Sequence, residues 1–457
     1  MLFNSLVFAV FLAVVWPLWR LLPNQGRRWL LLVASLVFYG WWDWRFLALL
    51  IGTAAIDFLC ARSIPGASPR RVKLLVATSV VSNLAVLGFF KYWGFALGEV
   101  GRLSAWLGVE LPLPTLAIVL PVGLSFYTFQ SMAYTIDVAR GQRPAPTFRD
   151  LLLYVAYFPQ LVAGPIERSH HLLPQLMRAA DPGPGALRVG AELFAWGLFK
   201  KVVVADNLAP LVERAFDQPD PGGLSVLVGC YAFTLQIYGD FSGYSDMARG
   251  IARWFGVELM VNFRQPLLAE GPRDLWRRWH ISLSQWLRDY LYVPLGGNRG
   301  GRLATDRNLL LTMLLGGLWH GAAWTFVAWG AVHGVALVLA HRVPLRLPAP
   351  LAWILTLHLT VGAFVLFRAH DVGQVLDLAR AVGRGLQADP AALAGLRLLL
   401  VLAALVFAWD LRLDRRGSDL LLQELPPWLR WAVIGLLVLA VTLLGGSYGR
   451  PFLYFQF

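Results

Sequence analysis

Two histidines carry the chemistry that this sequence is best equipped to perform. His320 closes the apolar run NLLLTMLLGGLWH that starts at Asn308, and His280 lies within RDLWRRWHISLSQWLRDYLY, between Arg273 and Tyr292. Twelve residues at helical rise cover ~18 Å, a little over half of the ~30 Å hydrocarbon thickness. A run that starts at the interface beside Arg307 therefore places His320 deep in the membrane. A neutral imidazole near pH 7 is suited to accept a proton from a hydroxyl nucleophile. A lone buried histidine is more often a satisfied core residue, and His333 reads that way: on a continuous helix it is rotated by about 220° from His320. What sets His320 apart is its depth, the second candidate at His280, and the glycines Gly316, Gly317 and Gly321, which offer places for a kink or close packing in a stretch, 308–340, too long for one untilted span. The pair has no carboxylate or third histidine at a ligand spacing, so no metal site is expected. Cys60 and Cys230 lack such spacing too and read as core packing, with a thioester-forming Cys230 as the minor alternative. His170 and His171, beside Arg168, read as solvated or interfacial residues.

Three further segments supply polar groups. From Gln236 an apolar run turns polar through Tyr238, Asp240, Ser242, Tyr244 and Asp246. Ionisable groups within a span are costly and usually face an internal cavity. One reading is a helix end emerging into water; the other is a substrate-lining helix broken at Gly243. Between 273 and 292 the spacing predicts one amphipathic helix, with Arg273, Arg277, His280, Ser284 and Arg288 on one face and Trp276, Trp279 and Trp286 mainly away from it. Its arginines either meet lipid phosphates or attract the phosphates of an acyl donor. The loop LGGNRGGR, with Asn298 at its centre, can wrap an anion or form a plain turn; it lacks the lysine and hydroxyl residue of a nucleotide-binding loop.

The elements that must position these groups are membrane spans. Of 457 residues, 57% are hydrophobic and 15% charged, against about 25% charged in an ordinary soluble domain. Twenty Trp and thirteen Tyr suit the boundary between hydrocarbon and water. The net charge of +13 is carried by short basic loops between apolar runs, so no basic domain remains to bind nucleic acid. Leu2–Leu22 lacks a basic leader and a cleavage pattern and reads as a retained first span. The loops around Arg27–Arg28 and Arg62–Lys73 fall on one side, which puts the N-terminus outside and both loops in the cytoplasm. The chain then runs outward from Leu74 to a loop around Glu99–Glu110 and back from Leu116 to Ile136. Further apolar runs cover about 151–165, 190–213, 224–237, 308–340, 351–366, 395–409 and 431–445, and 371–394 reads as an amphipathic helix plus a loop. This predicts about ten to twelve spans in a single all-α membrane domain, 1–457.

With these residues in view, the sequence resembles the membrane-bound O-acyltransferase family, in particular its bacterial branch of alginate O-acetylation proteins. The matching blocks are PVGLSFYTFQSMAYTIDVARG (121–141), YFPQLVAGPIER (157–168), DFSGYSDMARG (240–250), the long stretch 263–301 that contains RRWHIS, the stretch 307–334 that contains LWHG, and the closing FRAH and PFLYFQF. The resemblance implies an all-α bundle with interfacial and broken helices around a central tunnel. It implies acyl transfer from a thioester donor to a hydroxyl, with His320 and His280 as the catalytic pair. The candidate substrate and donor contacts are Gln236, Tyr238, Asp240, Ser242, Tyr244, Arg273, Trp276, Arg277, Arg288, Asn298, Trp319 and His333. The activity it implies is acetyl transfer from acetyl-CoA or another thioester toward an exported polysaccharide such as alginate, with no bound cofactor. The expected setting is the bacterial inner membrane and its lipids, with a periplasmic hydrolase-like acetyltransferase and the polysaccharide biosynthesis complex as partners. D-alanyl transfer to teichoic acid and non-enzymatic polysaccharide export are the alternatives.

Overall fold

A computed structural model describes residues 1–109, 111–114, 116–343, 347–387, 389–445 and 450–453. Glu110 and residues 454–457 of the closing block lie outside the described residues. Those described form helices and turns with no strand. They divide into two compact units, one of Met1–Pro184 with Ala252–Leu259 and one of Gly185–Ile251 with Met260–Phe457.

The first unit holds α1 (Leu6–Leu21), α2 (Asn24–Asp43), α3 (Arg45–Arg62), α4 (Pro69–Leu87), α5 (Trp93–Trp106), α6 (Leu124–Ala139), α7 (Phe148–Ala156) and α8 (Ser169–Arg178). Local chemistry sets the starts. The Ser68 hydroxyl accepts from the Arg71 N–H with Pro69 in the first turn, and Thr147 accepts from the Asp150 N–H. A π turn, Gly88–Tyr92, joins α4 to α5 as one 38-residue run. The expected loop around Glu99 is thus a helix, and the run expected at 151–165 stops at Ala156. At the centre of this unit Asp57 on α3 is fully buried, accepting from Ser79 Oγ at 2.5 Å and from Asn83 Nδ2 at 3.1 and 3.0 Å, both on α4.

The second unit holds α9 (Ala186–Phe199), α10 (Asp206–Phe216), α11 (Gly223–Trp254, within this unit through Ile251), α12 (Pro272–Arg278), α13 (Ile281–Leu287), α14 (Gly301–His320), α15 (Trp324–Arg342), α16 (Ala349–Arg368), α17 (Val372–Gly383), α18 (Pro390–Arg416) and α19 (Pro427–Leu444). Contrary to the broken-helix reading, α11 runs unbroken through Gly243. A Cβ there would lie 2.6 Å from the Gly197 carbonyl, and one on Gly250 2.6 Å from that of Gly190. The glycines are contact points that let α9 approach α11, as small residues do between membrane helices.

Six helical runs among the described residues are long and apolar enough to cross a membrane: Pro69–Trp106, Gly223–Trp254, Trp324–Arg342, Ala349–Arg368, Pro390–Arg416 and Pro427–Leu444. The chain is a multi-pass membrane protein. The larger number of runs read from the sequence includes shorter ones such as the 16-residue α1, and ones diluted by buried polar groups, such as Asp57 in α3 and Glu192 in α9.

Candidate active site

His320 is the last residue of α14, which begins at Gly301 rather than near Asn308. Residues 321–323 then reverse the chain into α15. A Cβ on Gly317 would meet the Phe326 carbonyl and one on Gly330 the Met313 carbonyl, so the two helices pack as a close antiparallel hairpin. A side chain at Gly321 would strike the Phe326 ring, which keeps the reversal tight. The stretch 308–340, too long for one untilted span, divides into two helices at Gly321, and the rotation argument for His333, which assumed a continuous helix, does not hold. The hairpin brings both histidines onto one indole: ring centroids of His320 and His333 lie 5.0 and 4.7 Å from Trp329. Trp319 at 5.0 Å and Phe367 at 5.3 Å complete the packing of His320, which is 4% exposed.

The amphipathic helix expected over 273–292 is likewise broken. It forms α12, then α13, then a π turn at Arg288–Tyr292. The break is at His280, a non-glycine residue in the left-handed region (φ 44°, ψ 54°). Such geometry is sterically costly and persists only where neighbours fix it. Here an extended strip fixes it. The Ile281 N–H donates to the Asn262 carbonyl at 2.9 Å, the Ser282 N–H and Oγ donate to Asn262 Oδ1 at 3.2 and 2.9 Å, and the Arg264 N–H donates to the Arg278 carbonyl at 2.9 Å. The reversal turns His280 away from the arginines into full burial, with its ring centroid 4.7 Å from Phe241, 6.1 Å from Trp319 and 6.3 Å from His320. His280 lies outside the six long apolar runs, and burial pushes its imidazole down to about 3, so it is neutral at pH 7.

The arginines keep their shared face and gain an indole. Arg273, Arg277, Ser284, Arg288, Tyr292 and Trp276 line a cleft of about 540 Å³. Trp276 was expected away from this face; within α12 it stands at i+3 from Arg273 and beside Arg277, so it shares the face. Among the described residues Arg273 and Arg277 have no ion-pair partner, whereas Arg288 pairs with Asp289 at 2.8 Å. From the cleft, Trp276 reaches the histidine pocket, its ring 5.7 Å from Trp329 and 5.2 Å from His333.

The polar segment of α11 is brought into a buried charge network. Lys201 Nζ lies 2.7 Å from Asp240 Oδ1 and 2.8 Å from Asp206 Oδ1, and the Leu453 N–H donates to Asp240 at 2.8 Å. Lys200 donates to Ser242 Oγ at 2.9 Å and to Asp246 Oδ2 at 2.7 Å, while the Tyr238 hydroxyl donates to Asp410 at 2.7 Å. Both lysines sit on the π turn Lys200–Ala205. Tyr244 packs its ring 4.6 Å from Phe452, and Gln236 is buried beside the network on α11. Asn298 is exposed, in the turn before α14. His171, read as solvated or interfacial, is partly exposed and pairs with buried Glu167 at 2.7 Å. Among the described residues, no three or more His, Cys, Asp and Glu side chains are grouped to hold a metal ion.

Sequence reasoning missed Asn262 and Trp329, whose roles depend on a strip and a hairpin with no spacing signature. It also missed Lys200 and Lys201, although two adjacent lysines in the apolar run GLFKKVVVAD were visible.

Comparison with known proteins supplies the chemical class. Residues 102–350 match the sequence model of MBOAT, the membrane-bound O-acyltransferase family. The chain is 43% identical to the probable alginate O-acetylase AlgI of Azotobacter vinelandii, over 81% of this chain and 76% of the relative. It is 42% identical to the protein of the same name from Pseudomonas aeruginosa, over 81% and 73%. A peptidoglycan O-acetyltransferase of Helicobacter pylori is 36% identical, over 78% and 73%.

Proposed function

Because the chain belongs to the membrane-bound O-acyltransferase family, we propose that it moves an acetyl group from a cytoplasmic thioester, acetyl-CoA being the simplest, to hydroxyls of an exported polysaccharide. Alginate is the acceptor that the names of two relatives favour. Acetyl is preferred over D-alanyl because relatives named for O-acetyl transfer match about four fifths of the chain. A non-enzymatic exporter would have no use for a buried histidine pair. In this reading both units form one catalytic domain in the bacterial inner membrane, with a central tunnel that reaches His320, and a periplasmic hydrolase-like acetyltransferase completes delivery to the polymer.

The observation that carries the reading is the buried imidazole pair, with ring centroids 6.3 Å apart, His320 being linked through Trp329 and Trp276 to a cleft lined by arginines. Arg273, Arg277 and Arg288 attract the anionic donor. His320 takes the proton of the acceptor hydroxyl as its oxygen bonds to the thioester carbonyl carbon. The C–S bond then breaks, and the departing thiolate recovers that proton from the imidazolium. His280 orients the acyl group. General-base assistance of this kind contributes about 10²- to 10⁴-fold. With labelled acetyl-CoA and purified protein in liposomes, His320→Gln should lose acetyl transfer by that factor and His280→Gln by less. Near-normal transfer by a folded His320→Gln variant would remove the proposed base. Neutralising Arg273, Arg277 and Arg288 together should raise the donor KM and weaken its salt dependence; unchanged donor kinetics would assign these residues to lipid headgroups.

A further inference from the structure

Where the arginine cleft meets the histidine pocket, three polar atoms of one side-chain cluster are buried without a hydrogen-bond partner: Trp276 Nε1, Trp329 Nε1 and His333 Nδ1. The cluster is compact. Ring centroids lie 5.7 Å apart for Trp276 and Trp329, 5.2 Å for Trp276 and His333, and 4.7 Å for Trp329 and His333. Trp329 and His333 are each 2% exposed. Buried polar groups are nearly always paired, so three unpaired ones in a single niche call for a ligand atom. An indole N–H only donates, and His333 donates in its Nδ1–H tautomer. The complement of this set is an acceptor oxygen, not a cation and not a hydroxyl proton. Trp276 lines the arginine cleft and Trp329 packs against His320, so the cluster bridges the cleft and the candidate base.

We propose that Trp276, Trp329 and His333 form the niche that receives the carbonyl oxygen of the acyl thioester, and that they donate to it as it gains negative charge. The proposal rests on the acyl-transfer reading. When the hydroxyl oxygen bonds to the carbonyl carbon, the C=O π pair moves onto this oxygen, and it returns as the C–S bond breaks. Donors already fixed in a dry pocket stabilise that charge without reorganising. It also gives His333 a task, although it lies on the second arm of the hairpin.

Trp276→Phe and Trp329→Phe remove the N–H and keep the ring. Each should lower kcat by about 10²- to 10³-fold with little change in KM. The factor should be the same for acetyl-CoA and for S-acetyl-N-acetylcysteamine, which keeps the thioester and lacks the phosphates. Neutralising the three arginines should affect acetyl-CoA alone. Unchanged kcat in both tryptophan variants, with His320→Gln inactive, would overturn the niche and leave the acyl-transfer reading in place; an active His320→Gln would overturn the reading itself. An equilibrium measurement needs no tryptophan variant. In the full-length His320→Gln protein, acetyl-CoA should bind about 2- to 12-fold more tightly than S-ethyl-CoA, which lacks the carbonyl oxygen. Equal affinity for the two would also overturn the niche.

Discussion

His280 shows how much a single residue is asked to absorb, since it breaks a helix, occupies a left-handed conformation and is fully buried. Its low proton affinity, caused by burial, has a consequence with a definite sign. Between its ordinary value of 6.5 and about 3, the unfolded chain binds a proton at this position that the folded chain does not. Stability therefore falls as pH falls through that window, and His280 contributes no pH dependence above it. In thermal unfolding of detergent-solubilised protein, the lead of wild type over His280→Gln should be smaller at pH 5 than at pH 7.5; an equal lead at both would show that His280 is not held neutral. Asn262 is the companion prediction. Asn262→Ala removes the side-chain acceptor of the Ser282 N–H and hydroxyl, two hydrogen bonds worth about 0.5–1.5 kcal/mol each, so transfer should fail before expression does. Retained transfer would show that the turn stands without it. The two histidines were legible in the sequence because they sit in distinctive blocks. Asn262 was not, because its work is to tie down another residue's backbone.

Among the helices, the α9–α11 contact offers the cleanest test. An interior Gly→Ala change ordinarily favours a helix by about 0.5–1 kcal/mol. At Gly243 the added Cβ would sit 2.6 Å from the Gly197 carbonyl, so Gly243→Ala should instead lower the melting temperature; a rise would mean that the helices can part at no cost. Several spans were readable from apolar runs, although their ends and number were not. Interruptions were misplaced for one physical reason: glycine and polar residues look alike in a sequence whether they break a helix or bring two together. Gly243, for which a break was one of two readings, is a contact; the break at His280 had no signal, and the one at 321–323 falls at Gly321, where a kink was one of the readings. Lys201 follows the same logic. It sits in an apolar run because Asp206 and Asp240 neutralise it, and that pairing becomes visible only once α10 and α11 are folded.

For the molecule as a whole, the bilayer decides what is exposed: Leu436, Leu439 and Leu443 of α19 face outward while aspartates and lysines are buried, the reverse of a soluble protein. The basic loops give this arrangement a direction. With Cys60 and Cys230 buried, single cysteines at Gln25 and Ser68 should resist an impermeant reagent on intact cells, and one at Trp44 should react. Labelling at Ser68 would invert the orientation. A different consequence follows from Asp57. Ribosomes deliver α3 before α4, so this carboxylate reaches the insertion machinery while Ser79 and Asn83, its hydrogen-bond donors 22 and 26 residues later, are still inside the ribosomal exit tunnel. An aspartate at the centre of a lone inserting helix carries a penalty of about 2.5–3.5 kcal/mol, an upper bound for Asp57, which stands nearer the Arg62 end of α3. That penalty favours entry of the third and fourth helices into lipid as a pair, with Ser79 and Asn83 already on the carboxylate. Replacing Asn83 by leucine would then be a defect of biogenesis, in which the nascent chain threads the membrane wrongly before any active site exists to be damaged.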